Sequence, residues 1–244
     1  MFYSHRIAEK IRHHECDAAG NLKLHALFDR LQDAAAEHAA ILNVGMDDMA
    51  EMQLIWVLSR LKISLLKPLK LSELLEVTTF PTGVQRIFAH RCYDLRINDE
   101  RLGVAGSFWL PVNAKANRPV NAKKVLPPEI MDLPDTEKFF PDMDKLENTD
   151  SEVCAEYTVN AGDVDLNCHL NNAVYARWIS DCLGQKLNSY TVQVQEIQIN
   201  FLSAGQFGEK IQLRADVKTD GSFSVSGEKA DNSTAFQAAG KLFD

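Results

Sequence analysis

The chain has little of what would mark it for secretion, a membrane or nucleic acid. Its N-terminal stretch carries no apolar run of the kind a secretory signal needs, and the longest aliphatic stretch, residues 54–58, is far too short to span a bilayer. A cytoplasmic protein without membrane insertion is expected. Basic residues are in the minority: 26 Lys+Arg against 34 Asp+Glu give a formal charge of -8, which argues against a sequence-independent grip on phosphates and hence against a nucleic-acid partner. Cysteines are few and scattered, at Cys16, Cys92, Cys154, Cys168 and Cys182, with no CxxC pair. Neither a disulfide framework nor a zinc site is expected, and all five thiols are read as small buried apolar residues. No metal or organic cofactor is implied.

What is present suits a packed core: 45% apolar and 25% charged residues in a chain of 244, long enough for one large domain or two small ones. The pattern opens with a polar strand over residues 5–14 and a turn at 17–21. A helix follows, in which Leu27, Phe28, Leu31, Ala35, His38 and Leu42 recur at spacings of three and four. Extended segments come next, over 55–66, 74–81, 85–97 and 101–112, with Gly83 and Asn98-Asp99 as the turns between them. The second half repeats this order, its helix carrying Val174, Tyr175, Trp178, Ile179, Cys182 and Leu183 on one face.

An ungapped comparison supports duplication. Asp17, Leu22, Leu31 and Asp33 stand against Asp165, Leu170, Ile179 and Asp181 at a constant shift of 148 (17 to 165), and residues 61–73 match 197–209 in pattern at a shift of 136 (73 to 209). Between the halves, residues 110–150 hold six of the eight prolines and read as a connector with little regular structure. The expected domains are 1–147, including the connector, and 148–244. A small module of one helix on one sheet leaves much apolar surface exposed, and pairing two such modules removes it.

The segment most able to carry chemistry runs from Asp163 through Asp165-Leu-Asn167-Cys-His169 to Trp178 and Ile179. In an extended loop, Asp165, Asn167 and His169 point to one side. His169 can take a proton from water, Asp165 can fix its tautomer, and Asn167 can donate to a carbonyl oxygen. The following helix, beginning near Asn171 or Asn172, adds free N–H groups at its positive end. Asp and Asn before a helix are also ordinary caps, and spacing alone leaves both readings open.

The stretch Asp165-x-Asn167-x-His169-x-Asn171-Asn172-x-x-Tyr175-x-x-Trp178-Ile179 resembles the signature of acyl-acyl carrier protein (acyl-ACP) thioesterases. The first half resembles them too, through Ile11-Arg12, Glu15-Cys-Asp17, Leu31-Gln32-Asp33 with His38, residues 56–60 and Pro68. The resemblance implies an α+β fold of two tandem hot-dog modules, each a curved antiparallel sheet wrapped around a long helix. It implies catalytic residues Asp165, Asn167 and His169 in the second module, and an acyl chain received largely by the first, where Trp56 and Phe108 are candidate tunnel residues. The implied substrate is a fatty acyl group on acyl carrier protein, and the implied reaction its hydrolysis to free fatty acid; an acyl-CoA thioesterase and a non-catalytic acyl-thioester-binding protein are the alternatives. Lys67, Lys70, Arg86, Arg91, Lys115, Arg118, Lys123 and Lys124 are candidates to meet the acidic carrier. The family usually supplies a further carboxylate where this chain has Ala204, so Ser203 or Gln206 is assigned to hold water or substrate. A monomer or homodimer is expected, since two modules in one chain can satisfy the pairing.

Overall fold

The computed structural model describes residues 3–131, 133 and 137–243; Pro134 of the connector lies outside them. In chain order the elements are β1 (His5–Lys10), α1 (Leu24–Ile41), α2 (Met46–Glu51), β2 (Leu54–Leu65), β3 (Leu74–Gln85), β4 (Phe88–Ile97), β5 (Glu100–Asn113), β6 (Arg118–Pro119), β7 (Val153–Thr158), α3 (Asn172–Leu187), β8 (Val194–Phe201), β9 (Lys210–Val217), β10 (Ser222–Lys229) and β11 (Thr234–Leu242). Strand, helix and strand meander occur twice, as the pattern predicts.

The helices follow their apolar stripes. In α1 and just beyond it, Leu27, Phe28, Leu31, Ala35, His38 and Leu42 are all buried, whereas Asp29, Asp33 and Glu37 are exposed. Removing each large apolar side chain from water contributes roughly 1.5–3 kcal/mol before entropy is counted. Tyr175, Trp178, Ile179, Cys182 and Leu183 are buried in the same way along α3. That helix starts at Asn171, whose side chain accepts the Ala173 N–H at 3.0 Å, and ends at Asn188 in the left-handed conformation (φ 49).

Two compact units are drawn from interleaved stretches: Met1–Lys10, Arg30–Lys62 and Leu74–Met143 in one, Ile11–Asp29, Ile63–Glu73 and Asp144–Asp244 in the other. In the first, neighbouring strands run β1-β3-β4-β5-β2 with β6 beside β5. The turn expected at Gly83 is instead a bulge. Gly83 takes φ 103 where the β3–β4 register shifts between Pro81 and Val84, β3 continues to Gln85, and the chain reverses at Arg86 (φ 57). Asn98 and Asp99, both left-handed (φ 50 and 63), make the expected β4–β5 turn. The connector buries Ala122, Leu126 and Ile130 against Leu42 and Val44, with Trp56 packed alongside.

In the second unit the order is β8-β11-β10-β9-β7. Here the reading of the cysteines is corrected: Cys154 of β7 and Cys182 of α3 form a disulfide across a Cα separation of 6.4 Å. Their 28-residue spacing carried no signal, because the pairing depends on the helix packing on that strand. Cys16 and Cys92 are free and buried as expected, but Cys168 is exposed.

Candidate active site

Asp165 begins a tight turn. Its backbone N–H donates to the His169 carbonyl (2.8 Å), and Cys168 N–H returns to the Asp165 carbonyl (3.0 Å). The Asp165 carboxylate Oδ1 accepts the N–H groups of Asn167 (2.8 Å) and His169 (3.1 Å). Cys168 adopts φ 60. The segment is therefore not extended, which corrects the alternation argument: the carboxylate organises the backbone that carries Asn167 and His169 and engages amides rather than the imidazole. Asn167 is exposed and His169 half-buried. Neither the Asn167 carboxamide nor the imidazole hydrogen-bonds to any of the described residues.

The helix behind the turn is already capped. Asn171 takes the Ala173 N–H with its side chain (3.0 Å) and the Val174 N–H with its carbonyl (3.0 Å). Those two donors, expected to be free, are engaged. Just upstream, the buried Asp163 accepts from Arg177 Nη2 (2.7 Å) and from Asn160 N–H (3.0 Å), while its carbonyl accepts the Asn171 N–H (2.9 Å). This fixes the entry of the turn to the first turn of α3.

Ser203 and Gln206 lie in the connection from β8 to β9. The structure brings this connection to the turn through Leu170 N–H, which donates to the Gly205 carbonyl at 2.9 Å. Gly205 N–H in turn donates to the Tyr175 hydroxyl at 2.9 Å. Burial pushes the Tyr175 hydroxyl up to about 12, with the charges of Glu209 and Asp165 acting in the same direction. It therefore stays protonated and serves as a pin between α3 and this connection.

At Ala204 there is no carboxylate. Its carbonyl accepts from Lys229 Nζ (2.6 Å), a side chain that also pairs with Glu209 (3.1 Å). Tyr175, Asp163 and Lys229 were not singled out from the sequence as site residues. Tyr175 lies within the signature, but Lys229, on β10, left no local trace.

In the first unit, Trp56 donates from Nε1 to the Val44 carbonyl (2.8 Å), and Phe108 packs against Phe88 and His90. Arg91 does not present a free charge to a carrier protein: its Nη1 lies 3.0 Å from His38 Nδ1 and donates to Thr79 Oγ1 at 3.1 Å.

A duplicated strand, helix and strand meander, with a carboxylate-held turn bearing Asn and His, defines an α+β protein of two tandem hot-dog modules. The family model for the acyl-ACP thioesterase N-terminal domain matches residues 3–132 and that for the C-terminal domain residues 146–239, so the chain belongs to the acyl-ACP thioesterase family. Among relatives, a chloroplastic palmitoyl-acyl carrier protein thioesterase of Cuphea hookeriana is 26% identical over 69% of this chain and 44% of its own length. A chloroplastic oleoyl-acyl carrier protein thioesterase of Coriandrum sativum is 22% identical over 93% and 69%. The chain thus spans less than half of the Cuphea relative. Among solved structures, an acyl-ACP thioesterase from Bacteroides thetaiotaomicron superposes with a TM-score of 0.84 at 22% identity, covering 99% of this chain and 98% of that one. The 12:0-ACP thioesterase from Umbellularia californica gives 0.81 at 16% identity, covering 100% and 98%. These likenesses bear out the expected fold.

Proposed function

We propose that the protein hydrolyses fatty acyl thioesters of acyl carrier protein, releasing free fatty acid and the carrier thiol, as a cytoplasmic enzyme of fatty acid biosynthesis. One observation carries this reading. Asp165 holds the backbone of the turn so that the Asn167 carboxamide and the His169 imidazole are both left available to a substrate. His169 accepts a proton from water as its oxygen attacks the thioester carbonyl carbon. The carbonyl oxygen takes up negative charge and accepts from Asn167 Nδ2, and the C–S bond breaks as the intermediate collapses. The leaving sulfur then takes the proton from His169.

Asn167 and His169 are accordingly the catalytic residues and Asp165 the residue that positions them, with the second module, 148–244, carrying all three. The first module, 1–147, receives the acyl chain, with Trp56 on its path, while Ser203 and Gln206 contact the thioester end. The acidic carrier protein is the partner, met by the protein as a monomer or homodimer.

The test is thiol release from purified acyl-ACP of several chain lengths. His169→Ala is expected to lower kcat by about 10²–10⁴-fold and Asn167→Ala by about 10²–10³-fold, with unfolding midpoints unchanged. Turnover that survives His169→Ala would sink the assignment. Acyl-CoA run in parallel at equal chain length tells the two thioesters apart.

A further inference from the structure

The two copies of the turn share their backbone bonds, with one exception. Around Asp17, Leu22 N–H donates to Leu69 O (2.8 Å), Ser72 N–H to Ile11 O (3.0 Å), Ile11 N–H to Glu73 O (2.9 Å) and Glu73 N–H to Lys70 O (3.2 Å). Around Asp165 the counterparts are Leu170 N–H to Gly205 O, Gly208 N–H to Val159 O, Val159 N–H to Glu209 O and Glu209 N–H to Gln206 O, each at 2.9 Å. The first copy makes one more bond, from Leu71 N–H to Gly20 O at 2.9 Å. Its counterpart, from Phe207 N–H to Cys168 O, is not made, and neither group has a hydrogen-bond partner among the described residues. A side-chain latch differs in the same place: Lys70 Nζ donates to Asn21 Oδ1, whereas Gln206 and His169, at the matching positions, make no such bond among the described residues. The seam that the first copy closes is open in the second, beside His169.

We propose that this open seam receives the thioester, with the Phe207 N–H as a second donor to the carbonyl oxygen as it becomes an oxyanion. The inference rests on the hydrolytic reading above and deepens it. The bonds on either side are the counterparts of those that flank the Leu71 N–H, so the Phe207 N–H occupies the matching place in the connection beside the turn. A backbone donor held in advance needs no reorganisation during reaction, which is what oxyanion stabilisation requires. The other donors nearby are engaged: Asn167, Cys168 and His169 N–H by Asp165, and Ala173 and Val174 N–H by Asn171. Phe207 is 70% exposed and open to an incoming group.

The test exploits the local geometry. Phe207 and Gly208 (φ 82) are the central pair of a turn closed by Glu209 N–H on Gln206 O, and a positive φ at the second central position is the pattern that accepts proline at the first. Phe207→Pro deletes the donor and keeps the turn; Phe207→Ala keeps the donor and deletes the ring. The expected result is a kcat loss on the order of 10²-fold for Phe207→Pro with KM and unfolding midpoint little changed, and a clearly smaller kcat loss for Phe207→Ala, which keeps the N–H. Ester replacement of the 206–207 peptide bond removes the same hydrogen without proline's ring and should reproduce the loss. Leu71→Pro, the matching change in the closed copy, should lower the midpoint because its N–H is in use. Wild-type kcat in Phe207→Pro overturns the donor assignment, and so does a midpoint drop as large as that of Leu71→Pro. A wild type that releases no thiol from any acyl-ACP overturns the hydrolytic reading, and the donor with it.

Discussion

The turn at Asp17 and the turn at Asp165 have one backbone and two uses. In the first, the carboxylate Oδ1 accepts the N–H groups of Ala19 and Asn21, both at 2.9 Å, just as Asp165 accepts those of Asn167 and His169. Asn21 is only 4% exposed, held by Asp17 Oδ2 and by Lys70, while its counterpart His169 is half-buried and leaves its ring available. Asp17 also accepts from Gln193 Nε2 at 2.6 Å. Polar groups in the first copy satisfy one another, which stabilises; those in the second leave the Asn and His side chains without a hydrogen bond among the described residues, which suits them to a substrate. A single scaffold thus serves as a structural corner or as a reactive one according to whether its side chains close on themselves.

Replacing both aspartates should break the comparison most sharply. Asp165→Ala releases the amides that place His169, and a loss on the order of 10²-fold in kcat is expected from the displaced imidazole. Asp17→Ala should cost about 1–3 kcal/mol in urea unfolding, while turnover per folded molecule stays near wild type. Equal effects of the two changes on kcat would show that the copies share the chemistry.

Acid should separate the imidazoles by environment. Burial lowers His90 from 6.5 to about 4, the nearby charge of Lys138 acting in the same direction. A depressed histidine is neutral in the folded protein while the unfolded chain binds a proton, so its contribution is intact above pH 6.5 and is lost progressively as pH falls toward 4, by up to about 3 kcal/mol. His90→Gln is expected to flatten that part of the stability curve, and a curve of unchanged slope would dismiss this origin.

Lys70→Met strands the buried Asn21 Oδ1 and should cost about 1–3 kcal/mol, whereas Gln206→Met at the matching position should stay within about 0.5 kcal/mol. A smaller effect than that of Lys70→Met concerns the fourth residue of each turn, Gly20 (φ 75) and Cys168 (φ 60). Gly20→Ala has room, its added Cβ meeting only Leu71 Cβ at 4.0 Å, so a loss of about 1 kcal/mol would report left-handed strain alone. Cys168→Gly should gain somewhat less, since glycine also loosens the unfolded chain. Thermal unfolding of the pair measures both.

Much of this was legible in the chain itself. Spacings of three and four placed both long helices and their buried faces, the constant shift of 148 paired the two turns residue by residue, and the signature singled out the segment of Asp165, Asn167 and His169. Local reasoning went astray where a pattern has more than one geometry. Alternating polar residues fit an extended loop or a carboxylate-closed turn, and Gly83 fits a hairpin end or a bulge within β3. The pairing of Cys154 with Cys182, the inward bonds of Arg91 and the clamp of Lys229 on the Ala204 carbonyl join residues far apart in sequence, so no window along the chain contains them.

By itself, the sequence determined the duplicated order of elements, the buried faces of α1 and α3 and the residue types offered at each turn, because periodicity and composition act over a few residues. Only the tertiary structure decided that one turn is latched and the other open. That outcome depends on hydrogen bonds between segments about fifty residues apart, such as Gly20 with Leu71, which form only after the strands and helices have packed.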